Sequence, residues 1–142
     1  MAKEMMDENN KIMQKSIRVL IVDDIYQVRQ ELATVLKLAA RLAPPDIEVV
    51  GQAQNGLEAI EQAKKLHPDV VLMDLEMPGM NGYTATESIK STRPSIKVII
   101  FTIHGENDER QNASKAGADA FIEKGIPIGE LIHTIQRFGR AA

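Results

Sequence analysis

The sequence predicts a doubly wound α/β domain built on a five-stranded parallel sheet, and three observations predict it. Short apolar or β-branched runs beginning near Ile17, Ile47, Val70, Ile96 and Asp119 alternate five times with segments whose apolar residues recur at helical spacing. Such alternation favours a parallel sheet covered on both faces, because each right-handed crossover helix must pack back onto the strands it joins. The first, third and fourth runs are apolar almost throughout, as strands buried on both sides are. The length agrees: 142 residues, 44% hydrophobic and 26% charged, make one ordinary domain with a sizeable core, and a second full domain does not fit.

Composition removes several function classes. A formal net charge of -3 argues against a nucleic-acid surface, which needs a basic face. The absence of cysteine excludes disulfides, thiolate chemistry and Cys-rich zinc sites, and is compatible with a reducing compartment. No run approaches the roughly 18 apolar residues of a membrane span, and the N-terminus lacks a signal-peptide core. A cytoplasmic protein is expected.

Residues 1–15 are polar and without a sustained period, and read as a flexible N-terminal tail before a domain at 16–139, with 140–142 as a C-terminal tail. The first strand, Ile17 to Val22, ends on Asp23-Asp24. Ile25, Val28, Leu32, Val35, Leu36 and Ala39 then follow helical spacing until Pro44-Pro45. Strand two runs from Ile47 to Gln52; Asn55 is an N-cap, with Leu57, Ile60, Ala63 and Leu66 on one helical face.

His67-Pro68-Asp69 leads into Val70-Val71-Leu72-Met73, an apolar run that stops on a single carboxylate, Asp74. An Asp can cap a helix, but Asn81-Gly82 are better placed to start the next one. That third helix runs to about Thr92 with a thin stripe of Tyr83, Ala85, Thr86 and Ile89. Strand four, Ile96 to Phe101, ends on Thr102. The fourth helix, Glu106 to Ala116, has only Ala113 and Ala116 to bury and should be weakly held and mobile. Gly117 suits a left-handed helix stop, Asp119 to Glu123 is the fifth strand, and Lys124 follows it. Pro127 suits the first turn of a last helix striped by Ile128, Leu131, Ile132, Ile135 and Phe138.

Four of the five strand ends thus carry chemistry: Asp23-Asp24, Asp74, Thr102 and Lys124. In parallel α/β sheets, ligands bind at the carboxyl ends of strands. Three clustered carboxylates repel one another and stay ionised only around a cation. A hard, oxygen-ligated divalent ion suits them, and few protein ligands with several waters suggest Mg2+. A carboxylate such as Asp74 can attack phosphorus to give an aspartyl phosphate while the Lys124 ammonium and Thr102 hydroxyl stabilise the phosphoryl oxygens. Taken singly, Lys124 is an ordinary strand-end lysine, Thr102 a β-propensity residue and Asp23-Asp24 a solvated turn. Their shared position at strand ends favours the phosphoryl-transfer reading.

The residues that carry a family resemblance are Val19-Leu20-Ile21-Val22-Asp23-Asp24, Asp74 with Met77-Pro78-Gly79-Met80-Asn81-Gly82, Thr102, and Lys115-Ala116-Gly117-Ala118-Asp119-Ala120-Phe121 leading to Lys124. Over about residues 17 to 138 the chain resembles the receiver domain of two-component response regulators. The resemblance implies a flavodoxin-like fold with strand order 2-1-3-4-5. It implies that Asp74 accepts a phosphoryl group from a phosphohistidine on a sensor histidine kinase or phosphotransfer protein, so that the chain is a signalling phosphoacceptor and not an enzyme acting on a separate substrate. Mg2+ would be held by Asp24 directly, Asp23 through water, Asp74 and the Glu76 carbonyl. Lys124 would contact the phosphoryl group, Thr102 would move toward it, and Phe121 would turn inward behind Thr102. That switch reshapes the helix 4–strand 5–helix 5 surface, which would control an output partner and serve a homodimer. Thin burial of helix four gives a reason for it to move.

Thr102-Ile103-His104 is most similar to the NarL/FixJ-like subgroup, whose output is a DNA-binding domain; here only Gly139-Arg140-Ala141-Ala142 follow Phe138, so a stand-alone receiver and a domain of a longer regulator both fit. By the same resemblance Glu76 and His104 would tune loss of the phosphoryl group, and Ile25, Tyr26 and Val28 would form the kinase-docking surface, although Ile25 and Val28 also fit a core. The pattern departs at Gly125-Ile126-Pro127, where many receivers have proline directly after the lysine, and at Ile103, bulkier than the usual small residue. Three rivals fare worse. A haloacid-dehalogenase phosphatase wants an Asp where Glu76 stands, and a dinucleotide-binding module wants glycines where Asp23-Asp24-Ile25 stand. A non-phosphorylated docking or dimerisation module should have lost the acid pair, Asp74 or Lys124.

Overall fold

A computed structural model describes residues 16–39, 41 and 44–140. The expected tail at 1–15 lies outside the described residues, as do 141–142. In chain order the elements are β1 Ile17–Val22, α1 Tyr26–Ala39, β2 Ile47–Ala53, α2 Gly56–Leu66, β3 Val70–Met73, α3 Gly82–Thr92, β4 Lys97–Thr102, α4 Asn107–Lys115, β5 Ala120–Glu123 and α5 Ile128–Arg140. Arg140, expected to open a C-terminal tail, is the last residue of α5.

The five strands form one parallel sheet in the order β2-β1-β3-β4-β5. From β1 the chain first winds outward to β2, then returns past β1 to build β3, β4 and β5. The two directions of winding part between β1 and β3, and a crevice opens at the carboxyl ends of strands at such a point. Each sheet face has its own core. One packs Leu20, Val71, Met73, Val98 and Ile100 against Ala59, Ala63, Ala85, Ile89 and Ala113 of α2, α3 and α4. The other packs Val19, Ile21, Leu72 and Ile99 against Leu36 of α1 and Leu131 and Ile135 of α5. Central strands therefore bury both sides, which is why they read as unbroken apolar runs. No helix among the described residues is long and apolar enough to cross a membrane.

Local signals set the helix starts. The Asn55 side chain accepts from the Glu58 N–H, and that of Asn81 from the Thr84 N–H. Each satisfies a backbone donor that the first helical turn leaves unpaired. The apolar stripes are less accurate at their margins. Leu57 is exposed rather than buried, because the inward ridge of α2 is Gly56, Ala59 and Ala63, and Leu57 lies about 200° around the helix from Ala59. Ile25, Val35 and Ile128 are likewise exposed. Pro127 sits one residue before α5, its carbonyl accepting from the Glu130 N–H at 3.0 Å, instead of inside the first turn. In α4, only Ala113 is buried; Glu106 and Ala116 flank the helix as caps.

Gly82 joins this framework to the strand end before it. A β-carbon there would press into the Asp74 carbonyl group, 3.1 Å from its carbon and 3.0 Å from the Leu75 Cα. Gly82→Ala is expected to cost about 1–3 kcal/mol, since the backbone after β3 must shift to make room. A lowered urea midpoint with unchanged slope would report this, and a wild-type midpoint would refute it.

Candidate functional site

The sheet ladder continues past the strand ends and delivers the acids. The Asp23 N–H donates to the Ala53 carbonyl and the Asp74 N–H to the Val22 carbonyl, both at 3.0 Å, so both residues are held as extensions of β1 and β3. Val22 and Met73 are register partners, which places the two carboxylates side by side at the point where the winding reverses. Oxygen atoms of Asp23, Asp24 and Asp74 all lie within 4.8 Å of one another. Asp23 and Asp74 are buried, whereas Asp24 is exposed and opens the cluster to solvent.

Lys124 reaches this cluster from the far side of the sheet. Its Nζ lies 2.7 Å from Asp23 Oδ2 and 3.9 Å from Asp74 Oδ2. Its own backbone N–H donates to the Thr102 carbonyl at 2.7 Å, which fixes the end of β5 against the end of β4. Thr102 is fully buried, and its hydroxyl accepts from the His104 N–H at 3.2 Å. The five strand-end residues expected from the sequence thus converge: the three acids lie together, the lysine meets Asp23 and Asp74, and the threonine is joined to them through the lysine backbone.

Electrostatics single out Asp74. Burial pushes its carboxyl up to about 6 from 3.8; the Lys124 ammonium pulls it down, Asp23 pushes it up again, and the Glu76 and Leu75 N–H groups lower it. One ammonium against three acids leaves the cluster short of positive charge. The donor set, all carboxylate oxygen with one solvent-facing member, fits a hard divalent cation, which Asp23, Asp24 and Asp74 could hold.

The remaining expected residues lie around this centre. His104 Nε2 is 2.8 Å from Glu76 Oε1, and His104 Nδ1 is 3.9 Å from Glu106, so the two residues to which the resemblance gives a rate-tuning role are in contact. The Tyr83 hydroxyl donates to the Glu109 carboxylate and joins α3 to α4 beside them. Phe121 is half-buried under the guanidinium of Arg110, which lies 4.7 Å from the ring centre and also reaches the Gly105 carbonyl and Glu123. Ile25 and Tyr26 are 55% and 67% exposed beside the acids, and Val28 is half-buried.

Two side chains, one on the Asp23 carbonyl and one behind it, were not anticipated. Arg29 is buried, donating from Nη1 to the Asp23 carbonyl at 2.7 Å and from Nε to Gln52 Oε1 at 3.2 Å. A signal for it existed: residue 29 stands three before Leu32 and seven before Leu36, so an arginine occupies the inward stripe of α1. Gln52 left only the faint mark of a polar residue near the end of β2.

A family model described as "Response regulator receiver domain" matches residues 19–136. Among curated relatives, the response regulator protein VraR of Staphylococcus saprophyticus is 38% identical over 121 residues, covering 85% of this chain and 56% of VraR. The nitrate/nitrite response regulator protein NarL of Escherichia coli is 32% identical over 124 residues, covering 87% of this chain and 55% of NarL. The chain therefore spans about half the length of the curated relatives it matches. A crystal structure of a LuxR-family two-component response regulator from Aurantimonas sp. SI85-9A1 superposes with a TM-score of 0.81 at 28% identity, covering 89% of this chain and 87% of that one. The match spans every strand end described above, and on it the chain belongs to the response regulator receiver domain family, on the side of the NarL-like regulators.

Proposed function

We propose that this receiver takes a phosphoryl group on Asp74 from a phosphohistidine of a sensor histidine kinase or phosphotransfer protein, within the cytoplasm. The observation that carries this reading is the convergence of Asp74, two further acids and Lys124 at the β1/β3 crevice. An Asp74 oxygen attacks phosphorus, the phosphorus–nitrogen bond breaks as the phosphorus–oxygen bond forms, and the imidazole leaves with the partner. Bound Mg2+ supplies neutralisation of the phosphoryl oxygens. Asp23, Asp24, Asp74 and the Glu76 carbonyl are the ligands we assign to it. Lys124, now shared between Asp23 and Asp74, transfers its contact to the phosphoryl group, and the Thr102 hydroxyl gives up the His104 N–H to do the same.

The consequence is a changed surface. The β4–α4 loop follows Thr102, and α4 buries only Ala113, so little apolar contact opposes its movement. Phe121 must leave Arg110 to turn inward, which couples the loop to the α4–β5–α5 face. That face is where we place an output partner or a second copy, and exposed Ile25 and Tyr26 with Val28 form the kinase-docking patch.

Three outcomes test this reading. A small phosphodonor with Mg2+ should label the wild type and not Asp74→Asn; label that persists in the variant would defeat the assignment. We assign Glu76 and His104, which contact each other, to the path of the attacking water, so replacing both with Ala should change the lifetime of the label, and an unchanged lifetime would refute that role. The third outcome is a pH effect. Because the Asp74 carboxyl is raised to about 6, the folded state keeps a proton that the unfolded state has lost between about pH 4 and 6, and stability falls as pH rises through that window. In metal-free solution at pH 7.5, Asp74→Asn should therefore be more stable than wild type by about 2–3 kcal/mol, with the difference gone near pH 3. Equal urea midpoints at both pH values would refute it.

A further inference from the structure

We infer that Arg29 is a positioning residue for the metal-ligating acids, acting through the Asp23–Asp24 peptide. The inference rests on the phosphoacceptor reading above. Arg29 is 9% exposed, yet among the described residues no carboxylate lies in ion-pair range of it. Burying a guanidinium without an acid partner is costly, so its hydrogen bonds must fix something that matters to the fold or to the site. They run to the Asp23 carbonyl at 2.7 Å and to Gln52 Oε1 at 3.2 Å, with the Tyr26 ring 5.6 Å away.

The Asp23 carbonyl belongs to the peptide plane that leads into Asp24. Asp23 itself is fixed from several sides: its N–H by Ala53, its Oδ1 by the Ile25 N–H at 2.9 Å, and its Oδ2 by Lys124. Asp24 is different. It is exposed, and no hydrogen bond or ion pair of its side chain occurs among the described residues, so the backbone alone sets where its side chain starts and which positions its carboxylate can reach. The tilt of the Asp23–Asp24 peptide decides whether that carboxylate faces the metal. Arg29 sets this tilt by tying the carbonyl to Gln52 on β2, and a planar fork can meet both acceptors at once where an ammonium meets them as a point. Outer partners of this kind typically alter metal affinity 10- to 100-fold.

Arg29→Met and Arg29→Lys, titrated with Mg2+ by calorimetry, should both bind about 10- to 100-fold more weakly than wild type. Labelling by the small phosphodonor at saturating Mg2+ should recover to within about threefold of wild type, since the chemical groups are intact. That split separates positioning from general loss of structure. Wild-type Mg2+ affinity in both variants overturns the inference, as does a labelling rate that saturating Mg2+ cannot restore. Gln52→Leu, which leaves Arg29 in place and removes its anchor, should weaken Mg2+ in the same direction; unchanged affinity there also overturns it. A wild type that neither binds Mg2+ nor takes label defeats the phosphoacceptor reading instead, whatever the variants do.

Discussion

The structure depends on holding three carboxylates within 4.8 Å of one another at the end of a buried sheet. Left to itself such a cluster would spread, because like charges in a poorly solvated site raise each other's free energy. Two of its members are held by the backbone. Asp23 and Asp74 are bonded into adjacent strands through their own N–H groups, so moving their backbones apart means breaking the β1–β3 ladder. The sheet's stability is in effect set against the burial and mutual repulsion of the acids; the raised proton affinity of Asp74 comes first from its burial, with the Asp23 charge adding a smaller push. Lys124 relieves part of it from a position 101 residues away in the chain.

This opposition explains why cations gather around one strand end. Lys124 meets Asp23 and Asp74 directly, whereas Arg29 touches only the peptide behind them. The two therefore divide the work. An ammonium is a compact charge that can exchange partners when a phosphoryl group arrives, and a guanidinium fork holds two acceptors in a fixed plane. The proposed transfer, metal first and then a dianionic group, would need one cation free to move and one framework contact that does not.

Much of this was legible in the sequence. Apolar runs ending abruptly on Asp23-Asp24, Asp74, Thr102 and before Lys124 located every strand end that meets at the crevice, because a strand buried on both faces has little choice of residue and its exit is conspicuous. Asn55 and Asn81 marked two helix starts for an equally local reason. Strand order was not local, and came from resemblance: periodicity says which residues face inward and nothing about which strand lies beside which. Leu57, Val35 and Ile128 failed at the margins of stripes, where burial is decided by the neighbouring helix. Arg29 failed for the opposite reason, since a charged residue on an inward stripe contradicts the pattern used to find the core.

α4 is where low packing and signalling meet. With Ala113 alone buried, its hold on the sheet rests heavily on polar contacts: Arg110 to Gly105, Glu123 and the Phe121 ring, and Tyr83 to Glu109. Polar contacts near solvent are each worth little, but they are directional and can be exchanged one for another without opening a cavity. A helix held by apolar packing would have to open cavities in its core to move, and such cavities typically cost about 2–5 kcal/mol. A helix held by Arg110 needs only a change of partner. The sparse apolar content of residues 106–116, a weakness if stability alone were at stake, is therefore what the proposed switch from Asp74 to the α4–β5–α5 face would use.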